Sequence, residues 1–196
     1  MLSKKQSSKK LKLICRDFIS NNHYKGLSTF KRNNGKSGVR VYLTKKTLDF
    51  IKSFGLYVHK EKIKQDWKTP GKEKLIIVDA TFFFPRTDMD ANNYWKVLLD
   101  ILTKQKVWND DNVVMERVNR IYYNSSDPRI ELTIYPSDNI GVFDSREEAR
   151  NFLIDNCFSC KNFSSPEKPC EIFKNLLENK LHKSFDLNSK KCSKSF

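Results

Sequence analysis

At 196 residues the chain has room for one ordinary domain and a small appendage, and an aromatic content of 12% excludes general disorder. Its 37 Lys and Arg against 23 Asp and Glu leave a net charge of +14, which disfavours a basic partner and favours a polyanion or an anionic surface. No membrane span is expected either: the longest apolar runs, residues 75–78 and 80–84, are separated by Asp79, whereas a span needs about 20 apolar residues.

Residues 1–9 are rich in Lys and Ser and read as a basic disordered tail; no apolar stretch follows, so no signal peptide is expected. Leu11–Cys15 reads as a first strand. Residues 20–38 are polar, with Gly and Asn, and include Asn21, Asn22, His23 and Tyr24 in a row. A short strand is predicted over Val39–Thr44. A helix follows over residues 45–65, with Leu48, Ile51, Leu56 and Ile63 near helical spacing, and it ends before the turn signal of Lys68, Thr69, Pro70 and Gly71. Residues 73–84 predict a buried strand with Ile76, Val78, Ala80, Phe82 and Phe84 on one face and Asp79 and Thr81 on the other. The strongest helix is predicted over residues 91–104. Residues 113–123 and 129–135 read as two antiparallel strands around a turn at 124–128, the second alternating Ile130, Leu132 and Ile134 with Glu131, Thr133 and Tyr135. Beyond Pro136 the character changes to a helix over 145–156, a cysteine-bearing segment, a short helix over 170–182 and a basic tail from 188. The expected fold class is α/β of the mixed α+β type. A small mixed sheet flanked by helices would occupy residues 10–136, and a helical, cysteine-containing extension residues 137–196.

The residues with chemistry to offer concentrate in two places: Asp88, Asp90, Asn92, Asn93, Lys96 and Asp100, then Trp108, Asp110 and Asp111. On a helix of 3.6 residues per turn, Tyr94, Trp95, Leu98, Leu99, Ile101 and Leu102 share one broad face, while Asn92, Lys96 and Asp100 stack at i, i+4 and i+8 on the other, beside Asn93. The apolar face is expected against the sheet and the polar face free to line a site. One carboxylate of the Asp88 and Asp90 pair is accounted for as a helix N-cap. The other is left unexplained by a single cap, and Asp110 with Asp111 adds two more. A basic protein that presents clustered carboxylates to phosphates meets repulsion of roughly 1 kcal/mol per pair at about 4 Å in water, and more near a protein surface. A divalent cation reverses that sign. Hard oxygen donors suit Mg2+ or Mn2+, such an ion activates water beside a scissile phosphate, and Lys96 is placed to stabilise developing charge. The helix leaves its two ends roughly 20 Å apart, so the second acidic pair reaches the first only if the following loop or strand returns along it.

These residues resemble the RusA family of Holliday junction resolvases, whose motif is Asp-x-Asp-Asn-x-x-Lys-x-x-x-Asp, then an aromatic residue and an Asp-Asp pair before a strand. Asn93, Lys96 and Asp100 match in register, as do Trp108, Asp110 and Asp111. Ser20, Asn21, Asn22, His23 and Tyr24 resemble the family's Pro-Ser-x-Asn-His-Tyr loop without its proline. The resemblance covers about residues 10–136 and implies a homodimeric α/β endonuclease that binds four-way or other branched DNA and makes paired nicks with Mg2+ or Mn2+. It also implies three essential aspartates and one lysine. Carried over, the lysine is Lys96 and the third aspartate Asp111. Counting back from Lys96 puts the first aspartate on Asp90 and the second on Asn92, an amide. A two-residue insertion would make both acidic, on Asp88 and Asp90, but would turn the helix by about 200°, so the ungapped register is preferred. Asn92 then coordinates through its carbonyl oxygen without charge, and Asp88 or Asp110 is the candidate to supply the missing charge. The expected metal set is Asp90, Asn92 and Asp111, with Asp88 and Asp110 as additional candidates; the expected catalytic residues are Asp90, Lys96 and Asp111. Asn22, His23, Tyr24, Asn93 and Lys96 are the candidate DNA contacts, with the Tyr24 ring equally readable as packing on the core. Trp95 and Trp108 read as core.

Five cysteines, one in the first strand, point to a reduced, cytoplasmic setting. Cys157, Cys160 and Cys170, with Cys192 or His182 beyond, have the opening spacing of a Zn2+ site, though ordinary reduced thiols account for them as well. The 6 glycines form no phosphate-cradling loop, and the 3 histidines suggest no hydrolytic triad. Two further readings compete with a nuclease: a non-catalytic branched-DNA-binding module with a degenerate metal site, which Asn92 keeps open, and a zinc-stabilised partner-binding protein centred on residues 137–196.

Overall fold

A computed structural model describes residues 9–72, 74–166 and 168–194. The expected tail over residues 1–9 lies outside them except for Lys9. The chain divides into two compact units, the first ending at Pro136 and the second beginning at Ser137. No helix among the described residues is long and apolar enough to cross a membrane.

The first unit begins with β1 (Leu11–Cys15), a one-turn helix α1 (Asn21–Tyr24) and a ribbon of β2 (Lys25–Lys31) and β3 (Ser37–Leu43). The ribbon has its own antiparallel register, Leu27 opposite Val41 and Thr29 opposite Val39. Then come α2 (Lys45–Lys64), β4 (Ile76–Phe84), α3 (Asn92–Lys104), a 3-10 turn (Asp111–Val113), β5 (Val114–Tyr123) and β6 (Arg129–Pro136). The main sheet runs β1-β6-β4-β5. β6 lies antiparallel to both neighbours, and β4 pairs parallel with β5 from Ile76 opposite Val114 to Phe84 opposite Tyr123.

Two expectations change here. The strands β5 and β6 do run in opposite directions, but β4 is inserted between them. The reason lies in their faces: the buried Ile130, Leu132 and Ile134 of β6 need apolar neighbours on β4, whereas β5 bears Glu116, Arg117 and Arg120 and is exposed along most of its length, as suits an edge. Residues 25–31, expected as an irregular polar stretch, form β2; their weak hydrophobic alternation gave no strand signal because neither face of the ribbon enters the core.

One face of the sheet (Leu11, Leu13, Ile76, Val78, Ala80, Phe82, Phe84, Ile130, Leu132, Ile134) is fully buried in a core shared with α2 and α3. The inward stripe of α2 is Phe50, Phe54 and Val58; of the expected Leu48, Ile51, Leu56 and Ile63, Ile51 packs partly buried against this core and the other three are exposed. Stacked rings select that stripe: Phe50 and Phe54 lie 5.6 Å apart, and aromatic burial outweighs aliphatic burial here. The helix α2 starts at Thr44, whose hydroxyl accepts from the Thr47 N–H at 3.2 Å.

In the second unit, α4 (Arg146–Phe152) runs into a π-helical stretch (Leu153–Cys157), followed by α5 (Glu171–Leu177) and two short paired strands, β7 (Phe185–Asp186) and β8 (Lys191–Cys192). Its core gathers Phe143, Phe152, Phe173, Leu176, Cys157 and Cys192. The expected basic tail from residue 188 is therefore corrected: Cys192 is buried, and its N–H donates to Asn156 Oδ1 at 3.1 Å.

The Lys62 ammonium ties α2 to the end of α3. It donates to the carbonyl oxygens of Gln105 at 2.8 Å and Lys106 at 2.6 Å, a cation on the negative end of the helix dipole. Replacing Lys62 with Met keeps the aliphatic stem and removes these bonds. A loss of about 1–2 kcal/mol is expected in urea unfolding; a variant as stable as wild type would show that the two bonds contribute nothing net.

Candidate functional site

The helix α3 is placed by its apolar face. At its start, Tyr94 packs on Phe84 at 5.4 Å and Trp95 meets Phe82 edge-on at 5.9 Å, so the helix begins beside the C-terminal end of β4. At its end, Trp108 is buried and donates from Nε1 to Thr103 Oγ1 at 2.6 Å, while Trp67 Nε1 donates to the Val107 carbonyl at 2.9 Å. Asn109 Nδ2 reaches the Pro70 carbonyl at 2.9 Å, which fixes the following loop near the N-terminal end of β4. Both tryptophans of the motif region, Trp95 and Trp108, are core residues, as expected.

At the near end, Asp90 Oδ1 accepts from the Asn92 N–H at 2.9 Å and acts as the cap of α3. Asp88 is exposed and pairs with Arg86 at 3.2 Å. Asn92 is exposed and Asn93 half-buried. Along the polar face, Lys96 Nζ lies 3.5 Å from Asp100 Oδ1, and the Tyr24 hydroxyl donates to Asp100 Oδ2 at 3.3 Å. Burial, the Asp100 charge and this hydrogen bond together raise the Tyr24 phenol above its ordinary value, so it remains a proton donor. Sequence analysis placed Asp100 on this polar face without assigning it a role; its contacts with Lys96 and Tyr24 come from the tertiary structure. The ring of Tyr24 packs on the core, as one of its two readings expects, while its hydroxyl joins the polar face. His23 is exposed, with Nδ1 3.0 Å from Ser20 Oγ, and Asn22 is exposed beside it.

At the far end, Asp110 Oδ1 accepts from the Asn112 N–H at 3.3 Å and caps the 3-10 turn. Asp111 is exposed and makes no side-chain hydrogen bond or ion pair among the described residues. Glu116, absent from the sequence expectations, stands close enough to feel it: desolvation and the Asp111 charge raise the Glu116 carboxyl above its ordinary value.

The structure places the members of the expected metal set apart. Asp88, Asp90 and Asn92 lie at one end of α3, and Asp110 and Asp111 at the other. The 13 residues of α3 rise about 20 Å, and β5 starts opposite Ile76 at the far end of β4, so the chain does not fold back toward Asp90. Among the described residues no group of three or more His, Cys, Asp or Glu side chains is disposed to hold a metal ion. The donors fit a hard divalent cation by chemical type but do not converge on one within a single chain.

The same holds for the candidate zinc ligands. Cys157, Cys160 and Cys170 are free thiols that form no metal-holding group, and zinc gains no support. Burial, with Cys170, Cys192 and Cys160 nearby, pushes the Cys157 thiol up to about 12, so it is a protonated core group. His182 Nδ1 accepts from the Ser184 N–H at 3.1 Å.

The raised Glu116 carboxyl gives a test with a definite sign. A folded value above the ordinary 4.5 means that protonated Glu116 favours the fold, a contribution present below that value and lost as pH rises through the folded one. Relative to wild type, Glu116→Gln should therefore gain stability between about pH 4 and neutrality in EDTA. A difference in urea midpoint that stays constant, or changes in favour of wild type, would show that burial and the Asp111 charge do not raise this carboxyl.

The family model of endodeoxyribonuclease RusA matches residues 25–135, from the first residue of β2 to the penultimate residue of β6 and including the whole of α3 and the Asp110–Asp111 pair. No individual curated relative matches the chain. With more than half of its length matched, and with Asn93, Lys96, Asp100 and Asp111 held on the elements just described, the chain belongs to the RusA family of Holliday junction endodeoxyribonucleases.

Proposed function

We propose that this protein is a structure-selective, divalent-metal-dependent endodeoxyribonuclease that resolves four-way or other branched DNA by paired nicks, in recombination and repair, as a cytoplasmic homodimer. The observation that carries this reading is the family match across residues 25–135, together with the polar face of α3, where Lys96 is held by Asp100 beside Tyr24.

In this reading Lys96 offers its ammonium to the phosphate, and Asp100 limits its rotation without neutralising it, since the pair is solvent-exposed on the lysine side. Asn93, Asn22, His23 and Tyr24 offer neutral or weakly basic hydrogen-bonding groups to the DNA backbone around it. Asp90, Asn92 and Asp111, with Asp88 and Asp110, are the oxygen donors for Mg2+ or Mn2+, an ion that activates water and offsets charge on the phosphate when bound.

The placement of these donors favours a site completed between two copies. A two-fold axis would set the Asp90 end of one α3 beside the Asp111 end of the partner helix, and two such sites would match the symmetry of a four-way junction. The dimer then has a physical reason beyond the need for two nicks: neither copy alone holds the donors together.

The alternative, a non-catalytic branched-DNA-binding module, is favoured by one feature: the amide of Asn92 where the family has a carboxylate. Cleavage of a labelled four-way junction against matched linear duplex, in Mg2+ or Mn2+, separates the two readings. Wild type should nick the junction in pairs. Asp111→Asn should lose at least about 100-fold in cleavage while binding the junction as well or better, because a negative charge near phosphate is removed. Tight binding without cleavage in either metal would favour the binding module, with Asn92→Asp the variant to examine next.

Mixing tests the shared site directly. Asp90→Ala and Asp111→Ala should each be inactive alone; combined in equal amounts they should recover roughly a quarter of wild-type nicking, as unpaired nicks, because mixed dimers hold one intact site. No recovery after verified subunit exchange would sink the shared-site arrangement.

A further inference from the structure

We infer that the β2–β3 ribbon is a duplex-gripping arm, which binds one double-stranded arm of the DNA substrate through its phosphates and groove wall. The inference rests on the reading of the protein as a DNA-acting enzyme, but concerns a surface away from the acidic residues of α3.

The ribbon stands apart from the main sheet and spans about 20 Å along each strand. Residues 25–43 carry Lys25, Lys31, Arg32, Lys36 and Arg40 and no acidic residue, and all five cations are exposed. None of them forms an ion pair among the described residues, so their charge is not neutralised from within the chain. Three lie at or near the tip, where Gly35 adopts a positive φ of 77° and Arg32 and Lys36 are joined by a backbone hydrogen bond of 2.8 Å.

The two faces of the ribbon differ. On one, aromatic rings cover the glycines opposite: a Cβ at Gly26 would stand 2.5 Å from the Tyr42 ring, and one at Gly38 would stand 2.7 Å from the Phe30 ring, over which Arg40 also lies at 5.8 Å. This face closes on itself and stiffens the ribbon without help from the core. The other face leaves Leu27, Val39 and Val41 open, at 71%, 64% and 56% exposure. Aliphatic side chains between lysines match a DNA groove, whose walls are sugars and whose rims are phosphates. A major groove admits a two-stranded ribbon of this width. A second copy docked through the same face would set Lys25 and Lys31 of each copy, with the tip cations Arg32 and Lys36, against like charges, which argues against a protein occupant.

The root of the ribbon also points to DNA. The chain enters β2 directly from Tyr24, whose hydroxyl is on Asp100, and the buried Thr47 hydroxyl donates to the Tyr24 carbonyl at 3.0 Å. A duplex held on the ribbon would therefore lead toward Lys96.

The test is the salt dependence of binding by the full chain to a four-way junction and to linear duplex, followed by fluorescence anisotropy. Replacing Arg32, Lys36 and Arg40 together with Ala should lower the slope of log K against log salt by about 2–3, at roughly 0.9 for each phosphate that is no longer neutralised. Exchanging the same residues conservatively (Arg32→Lys, Lys36→Arg, Arg40→Lys) should restore it, which separates lost charge from lost fold. Replacing Lys52, Lys60 and Lys64 on α2 should leave the slope near wild type. An unchanged slope in the ribbon triple, or an equal fall in both triples, would overturn the inference. So would a change in sedimenting mass in Leu27→Ser with Val41→Ser at unaltered DNA affinity, which would assign the aliphatic face to a protein interface. Absence of junction cleavage by wild type, with the ribbon dependence intact, would instead count against the resolvase reading alone.

Discussion

The site is governed by a constraint of backbone direction. Because β4 and β5 lie parallel and adjacent, the chain leaving β4 at Phe84 must return the full length of the strand before β5 begins at Val114. The return is made by α3, and its apolar face, from Tyr94 to Leu102, locks it to the sheet over that whole distance. Everything else about the site depends on this crossover. It exposes one polar face carrying Asn92, Lys96 and Asp100, and it delivers the two groups of acidic residues to opposite ends.

Within that frame, each end is consumed by local structure to a different degree. Asp90 and Asp110 both cap the turn that follows them, accepting backbone N–H bonds at 2.9 and 3.3 Å. A cap leaves the second carboxylate oxygen open to another donor or an ion, so capping and metal binding are compatible in one side chain. Asp111 is not used as a cap, and its charge is felt by Glu116. In the middle, Asp100 accepts from Tyr24 and pairs with Lys96, which joins α1 and the root of the ribbon to the polar face of the helix. The second unit contributes none of these groups. Its cysteines belong to its own small core, where burial keeps Cys157 protonated.

Exposure is distributed in the same logic. The edge strand β5 interleaves Glu116, Arg117 and Arg120 with exposed Val118, Ile121, Tyr122 and Tyr123, and the only charges on the ribbon are positive. A protein whose net charge is +14 places part of that excess on the ribbon, where none of the five cations is paired with a carboxylate among the described residues.

The sequence by itself determined the elements that repeat a local period. The two faces of α3, the alternation of β6 and the burial of β4 on Val78, Ala80 and Phe82 were legible because each depends on neighbours a few residues away, whereas the spaced motif from Asp90 to Asp111 was legible through its resemblance to a family. It also identified Trp95 and Trp108 as core. Even a local period failed where two stripes competed, as on α2, whose inward side was chosen by the stacking of Phe50 and Phe54. Tertiary structure alone decided the rest: that β4 separates β5 from β6, that residues 25–31 pair into a ribbon, that Tyr24 reaches Asp100 across 76 residues, and that Asp90 and Asp111 stand apart. These are contacts between segments distant in sequence, and no periodicity within a segment encodes which partner it will meet.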